Sequence, residues 1–209
     1  MKRLSCALIL LFALSYLCLA EDEEKDVLCT WTAVRFTTPV SERWKIGAMA
    51  ELRTKLEAFD QFYLRPFADY NAGSGFHLKY QTDFAFFDTD FKIRIIPELS
   101  YTHSFGDFSV LLRQRYMGSW SRSNSQWSSL LRTKGLIQYN IPSIRISPIV
   151  AVEPFYWDEL ARVRYYAGFK IKLNENSSLQ VQYVRQDFSD SSKQDQNIIW
   201  LLYSITLPH

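Results

Sequence analysis

Hydrophobic and polar residues alternate one by one over residues 44–55. The even positions carry the apolar side chains Trp44, Ile46, Ala48, Ala50 and Leu52, and the odd positions include the charged Lys45, Glu51, Arg53 and Lys55. Successive side chains of a β-strand point to opposite faces, so this pattern predicts a strand with one apolar and one polar face, and not a helix. A length of about ten to twelve residues suits a tilted strand that crosses a bilayer.

Similar alternation recurs to the C-terminus and predicts ten strands between Trp44 and Leu207. An earlier strand at 28–38 makes eleven; it is either paired with a twelfth strand or not a full strand of the wall. Tight turns alternate with longer polar connections, notably 118–127 and 189–196, and such asymmetry is typical of bacterial outer-membrane barrels. We therefore predict an all-β fold: an antiparallel up-and-down transmembrane β-barrel of about 10–12 strands, closed by its first and last strands.

The two faces of these strands predict an orientation. The residues predicted to face lipid include Ile46, Ala48, Leu52, Phe84, Ile95, Val150 and Phe169. The predicted lumen charges are Glu51, Arg53, Arg65, Asp69, Asp83, Arg94, Glu98, Arg113, Arg115, Arg132, Arg145, Glu153, Arg162 and Arg164. A narrow barrel is filled by its own side chains, and arginine–carboxylate pairs fill such a space while satisfying each other. The principal expectation is an ion-paired lumen, and the excess of arginine indicates a narrow path or pocket for anions as the sharper alternative.

Two other fold classes compete with the membrane barrel. A soluble lipocalin-type barrel has a polar outside and an apolar inside, and alternation alone does not distinguish the two faces. Here, however, the polar faces repeatedly carry arginine and lysine, whereas the apolar faces end in aromatic residues. Aromatic strand ends are typical of the two interfaces of a membrane, which favours the membrane barrel over the soluble one. A helical protein is the third and weakest alternative.

The N-terminus predicts secretion. Lys2 and Arg3 precede an apolar run that closes on Ala20, which is the pattern of a signal peptide over residues 1–20. An acidic segment follows at 21–27, and the barrel is predicted over 28–209. The mature chain keeps one cysteine, Cys29, and therefore forms no internal disulfide. The net charge of +2, without a run of lysine or arginine, gives no indication of nucleic-acid binding.

Candidate catalytic chemistry is sparse. The chain has three histidines, and the side chains of His103 and Ser104 point to opposite faces of one strand, so they do not form a local nucleophile–base pair. No metal-ligand spacing or phosphate-binding glycine loop is present. We expect no enzyme, no metal and no cofactor. Two alternatives stay open: a membrane-embedded lipid-modifying hydrolase and a soluble periplasmic lipocalin-like carrier.

Short motifs spread over the chain also carry a resemblance. These include Trp31, Glu51-Leu52-Arg53, Arg65 with Tyr70, Pro97-Glu98-Leu99-Ser100-Tyr101, Arg113-Gln114-Arg115-Tyr116 and Glu153-Pro154-Phe155. With them the chain resembles a family of Gram-negative outer-membrane β-barrel proteins described as a domain of unknown function. The resemblance implies a barrel in the outer membrane of a Gram-negative bacterium after signal-peptide cleavage, and it implies no reaction. Outer-membrane lipid and the barrel assembly machinery are then the expected partners.

On these grounds we expect a small porin-like barrel with a structural or binding role, or weak transport of small anionic solutes. The soluble ligand is not indicated by the sequence.

Overall fold

Eleven strands, with no intervening helix, form a closed barrel in the computed structural model, which describes residues 26–55, 58–142 and 144–208. The strands are β1 (Val27–Pro39), β2 (Trp44–Lys55), β3 (Ala58–Gly73), β4 (Phe76–Phe87), β5 (Phe91–Phe105), β6 (Phe108–Ser121), β7 (Trp127–Tyr139), β8 (Ile146–Tyr156), β9 (Leu160–Lys172), β10 (Ser177–Phe188) and β11 (Gln196–Thr206). The predicted all-β barrel and its strand count of 10–12 are confirmed.

Some predictions fall on other parts of the chain. The predicted signal peptide, 1–20, and most of the acidic segment lie outside the described residues. The first strand begins at Val27, one residue before the predicted start of the barrel. Among the described residues, no helix is long and apolar enough to cross a membrane.

The barrel closes between its first and last strands, which run parallel. β1 and β11 pair in register from Val27↔Gln196 to Thr37↔Thr206, whereas every other neighbouring pair is antiparallel. An odd number of strands in an up-and-down barrel requires one parallel pair, because the first and last strands then point the same way. The strand predicted at 28–38 is therefore a full strand of the wall, and both interpretations offered for it from the sequence were wrong.

The connections divide between two rims. We call the rim with connections 88–90, 122–126, 157–159 and 189–195 the upper rim, and the opposite one the lower rim. The loop predicted at 118–127 shrinks to 122–126, because strand pairing continues to Trp120↔Trp127. The asymmetry between rims is weaker than predicted, since the lower-rim connection 140–145 is longer than 122–126.

Side chains alternate between an apolar outer face and a charged inner face. Ile46, Leu52 and Ile95 are 45%, 44% and 38% exposed on the outside, while their neighbours Arg53 and Arg94 line the interior. This arrangement is the reverse of a lipocalin, whose apolar side chains point inward.

Aromatic side chains form a belt on the outer face near each rim. The lower belt is a chain of rings, each 4.7–6.4 Å from the next, made by Phe76, Tyr101, His103, Phe105, Phe108 and Tyr139. The upper belt includes Phe62, Phe86 and Phe91. Strand β4 contributes one residue to each belt, Phe76 to the lower and Phe86 to the upper. Ten residues with a rise of about 3.3 Å each, on a strand tilted by about 40° from the barrel axis, place the two belts roughly 25 Å apart.

The interior beside the closing strands is apolar. Val27, Cys29, Trp31, Tyr166, Val184 and Ile198 form one buried cluster, and Ala33, Met49 and Leu202 form a second. Trp200 of β11 packs against both clusters. The charged part of the interior therefore lies mainly on β2 to β9, and the apolar strands β1 and β11 close the barrel around a packed core.

Proline interrupts the strand ladder without shifting it. Pairing between β5 and β6 stops after Ile95 and resumes at Glu98 in the same register. Pro97 thus leaves only a local gap in the ladder, because proline lacks the N–H that a ladder hydrogen bond needs. The same holds beside Pro66, between Leu64 and Phe67 in the pairing of β3 with β4.

Candidate functional site

The charged interior contains thirteen of the fourteen predicted lumen charges. They line two cavities inside the barrel, one of about 380 Å³ and one of about 250 Å³. We call the first the central cavity and the second, which lies toward the upper rim, the upper cavity. Arg145 is the exception: it precedes β8, which begins at Ile146, so strand alternation does not direct it inward. Instead it is exposed at the lower rim and donates to the carbonyl oxygen of Leu173 at 2.9 Å.

A first ionic cluster surrounds Tyr63 on β3. Glu51 accepts hydrogen bonds from Arg53 at 2.6 Å and Arg65 at 3.2 Å, and Arg65 also lies 3.1 Å from Asp83. The guanidinium groups of Arg53, Arg65 and Arg94 lie 4.5, 4.5 and 5.4 Å from the centre of the Tyr63 ring. The ring is 1% exposed. Cation–π contacts and ion pairs thus hold these arginines together around one aromatic side chain.

A second cluster surrounds Glu153 and Phe155 on β8, both 1% exposed. The carboxylate of Glu153 accepts from Arg113 at 2.8 Å, from Arg132 at 3.0 Å and from the Tyr166 hydroxyl at 2.5 Å. Since Arg113 is on β6 and Glu153 on β8, this contact joins strands that are not neighbours.

The ring of Phe155, like that of Tyr63, is surrounded by three arginines. The guanidinium groups of Arg132, Arg162 and Arg164 lie 4.3–4.6 Å from its centre. The ring of Trp31 lies between the two clusters, with Arg53 at 3.9 Å and Arg164 at 4.7 Å. The aromatic rings therefore link the arginines of both clusters into one layer.

The remaining carboxylates of the central cavity are also paired. Nε of Arg115 donates a hydrogen bond of 2.8 Å to the carboxylate of Glu98, which also lies 3.9 Å from Arg113. Asp69 pairs with Lys79 at 3.3 Å and with His77 at 3.1 Å. These pairs extend the ionic network toward the lower rim.

Positive charge exceeds negative charge along the two cavities. Of the residues that the structure describes, twelve lysines and arginines line them, against six aspartates and glutamates. Five of the six carboxylates are ion-paired, and the sixth, Asp60, accepts a hydrogen bond from Gln61. Within the described residues, the cavity cations without a carboxylate partner are Arg35, Arg94, Lys134, Arg162 and Arg164.

Four cations that line the cavities are absent from the set of lumen charges predicted from the sequence: Arg35, Lys79, Lys92 and Lys134. Lys79 and Lys134 stand two residues from Gln81 and Arg132 on the same inner face, so strict use of the alternation would have found them. Lys92 is the second residue of β5, whereas Arg35 lies well within β1. The Nη2 of Arg35 is 3.6 Å from the sulfur of Met49, and Nζ of Lys134 is 3.5 Å from the centre of the Tyr166 ring.

At the upper rim, Asp90 ties two connections together. Its carboxylate accepts from the Ser121 hydroxyl at 2.7 Å and from the N–H groups of Ser123 and Phe91 at 3.1 and 2.8 Å. These hydrogen bonds, above all that from Ser121, lower the pKa of Asp90 to about 2. The mouth of the barrel beside the upper cavity is therefore held by a carboxylate that stays ionised at neutral pH.

Arg185 fastens the closing strands on the outer face at the same rim. It binds Asp26, lies 2.6 Å from Asp187 and 3.1 Å from Asp195, and so joins the residue before β1 to β10 and to the residue before β11. His77 and His103 lie on opposite sides of the barrel wall. His77 shares Asp69 with Lys79 inside the barrel, and His103 stacks in the lower belt on the outside. No group of three or more metal-binding side chains occurs in the part of the chain that the structure describes.

Comparison with known proteins gives the family. Residues 28–197 match the family model described as a protein of unknown function, DUF2490. The chain belongs to the DUF2490 family. The resemblance inferred from the sequence motifs is thereby confirmed, and the matched region begins at the second residue of β1 and ends in β11.

Among solved structures, the DUF2490 barrel is similar to the NanC porin in a rhombohedral crystal form. The TM-score is 0.55 with 11% identity, over 78% of this chain and 85% of that one. At this identity the likeness shows a shared barrel fold. No curated protein matches the chain.

Proposed function

We propose that this protein is a small outer-membrane β-barrel that binds small anionic solutes in its lumen and lets them pass slowly. The observation that carries the proposal is the charge balance of the two cavities. Because their carboxylates are already engaged by other groups, five of the cavity cations form no ion pair with a carboxylate of the described residues. Positive potential inside low-dielectric walls concentrates anions and repels cations.

The outer face supports the placement in a membrane. Exposed apolar side chains cover it between two aromatic belts roughly 25 Å apart, which is the height of the apolar band of outer-membrane barrels. A soluble protein rarely exposes an apolar surface of that extent. The fold shared with a porin points the same way. A signal peptide at 1–20, a Gram-negative source and assembly by the barrel machinery are part of the same proposal.

The filled interior supports slow passage over free conduction. Trp31, Arg53, Arg65, Asp83, Arg132 and Arg164 line both cavities and so form the layer between them. An anion that crosses must exchange hydrogen bonds with several of these arginines in turn. Binding is therefore the dominant property, and conductance should be small.

Anion selectivity tests the proposal. In a planar bilayer under a KCl gradient, we expect a reversal potential that shows greater permeability to chloride than to potassium. Arg35→Gln removes a central-cavity charge that has no carboxylate partner and should reduce this preference. Arg145→Gln, at the exposed lower rim, is the matched control and should change it little. Cation selectivity in the unmodified protein would contradict the proposal.

A further inference from the structure

Three arginines of the upper cavity hold donors that the protein does not use. The Nε atoms of Arg94, Arg132 and Arg162 are buried, and no acceptor among the described residues hydrogen-bonds to them. Leaving a buried charged donor without an acceptor destabilises a protein. The three side chains line one cavity of about 250 Å³, so an anion bound in that cavity is the nearest source of the missing acceptors.

Aromatic rings restrict how that ligand approaches. The Arg162 guanidinium lies 4.3 Å from the Phe155 ring centre and 5.8 Å from that of Phe188. Arg94 lies 5.4 Å from the Tyr63 ring centre and 5.9 Å from that of Phe87. With their faces against rings, these groups offer their N–H edges, and the edge of a guanidinium matches a pair of oxygen atoms on one anion.

The local charge favours an anion with more than one negative charge. Arg162 is repelled by Arg164, Arg132, Arg53 and Arg94. Among the described residues, the carboxylates that line the upper cavity are Asp60 and Asp83, and Asp83 is already paired with Arg65. A divalent anion offsets more of this repulsion than a halide, and it also supplies oxygen acceptors.

We infer that the upper cavity is a binding site for a multivalent oxyanion, a phosphate or a dicarboxylate, held by the N–H edges of Arg94 and Arg162 and by Nε of Arg132. This inference rests on the proposed function and names the ligand class and the site within it. Chloride lacks both the second charge and the paired oxygens, so it competes weakly.

Calorimetric titration of the full-length barrel in detergent, in a fixed chloride concentration, tests the site with inorganic phosphate and with succinate. We expect saturable binding of at least one of them, and the tighter of the two shows whether the oxyanion is a phosphate or a carboxylate. Arg162→Gln should weaken that binding tenfold or more, because a buried charged hydrogen-bond pair is lost. Arg122→Gln, an exposed arginine in the 122–126 connection at the same rim, is the matched control and should leave it unchanged.

Stability separates a binding role from a structural one. Without ligand, Arg162→Gln should melt at the same temperature as the unmodified barrel or higher, since it removes repulsion. Arg162→Lys keeps the charge but loses the paired N–H donors of the guanidinium group, so this variant should also bind the anion more weakly. It tests the site if Arg162→Gln does not fold. Unaltered affinity in Arg162→Gln, or chloride that competes as well as phosphate and succinate, overturns the inference. Anion-selective conductance without saturable phosphate or succinate binding overturns the inference alone, whereas cation selectivity overturns the proposed function.

Discussion

Replacing Glu153 by alanine is expected to lower the free energy of unfolding of the barrel by roughly 3–5 kcal/mol, less where water enters the cavity. The side chain is the shared acceptor of Arg113, Arg132 and Tyr166. Its loss leaves Arg132 without a carboxylate partner among the described residues and Arg113 with only Glu98, 3.9 Å away, among neighbours that are themselves mainly cationic. The contact between β6 and β8 across the lumen is lost at the same time.

Equilibrium unfolding by urea in detergent or lipid vesicles measures this effect. Glu98→Ala, which removes the partner of Arg115 and Arg113, should act in the same direction. Glu175→Ala is the matched control, because this glutamate is exposed in the lower-rim connection 173–176 and should tolerate the change. If Glu153→Ala and Glu98→Ala leave stability unaltered and instead change conductance or anion preference, the lumen is water-filled and the network does not support the fold.

The strand pattern was predictable because most strands separate lipid-type from lumen-type side chains. β2 is the clearest case, with Ile46 and Leu52 outside and Arg53 inside. β11 gave no such signal, and the structure shows why. Its inward residues Ile198, Trp200 and Leu202 pack in the apolar clusters beside the closing pair, so both of its faces are apolar.

Closure by the first and last strands was predicted and is confirmed, but the parallel direction of that pair was not predicted. Alternation tells which way a side chain points, and it carries no information about the relative direction of the strands that close the barrel. The parallel pairing of β1 with β11 depends on contacts between residues at opposite ends of the chain, such as Asp26 with Arg185.

The same distinction applies to the candidate site. The sequence placed thirteen charged residues correctly on the inner face. The prediction for Arg145 was wrong because this residue lies just before the start of β8. The partners did not follow: the bond from Arg113 to Glu153 spans forty residues of chain and skips a strand. Periodicity also did not show that Tyr63 and Phe155, aromatic residues on the polar face, would each form cation–π contacts with three arginines.

Placing arginine at Ile95 is expected to destabilise the barrel in lipid by about 2–4 kcal/mol, whereas the same change near a rim should cost roughly 0–1 kcal/mol. Ile95 is exposed on the outer face of β5, between Phe91 of the upper belt and Tyr101 of the lower belt. Leu28, exposed at the upper-rim end of β1, provides the matched control as Leu28→Arg. Urea unfolding from lipid vesicles compares the two variants.

The difference in stability between the two variants arises only if the band between the belts is surrounded by hydrocarbon, because a charge on a water-exposed face costs little at either height. Equal stability of both variants, in a protein that also stays folded without lipid or detergent, would therefore remove the membrane placement from which the proposed passage of anions follows.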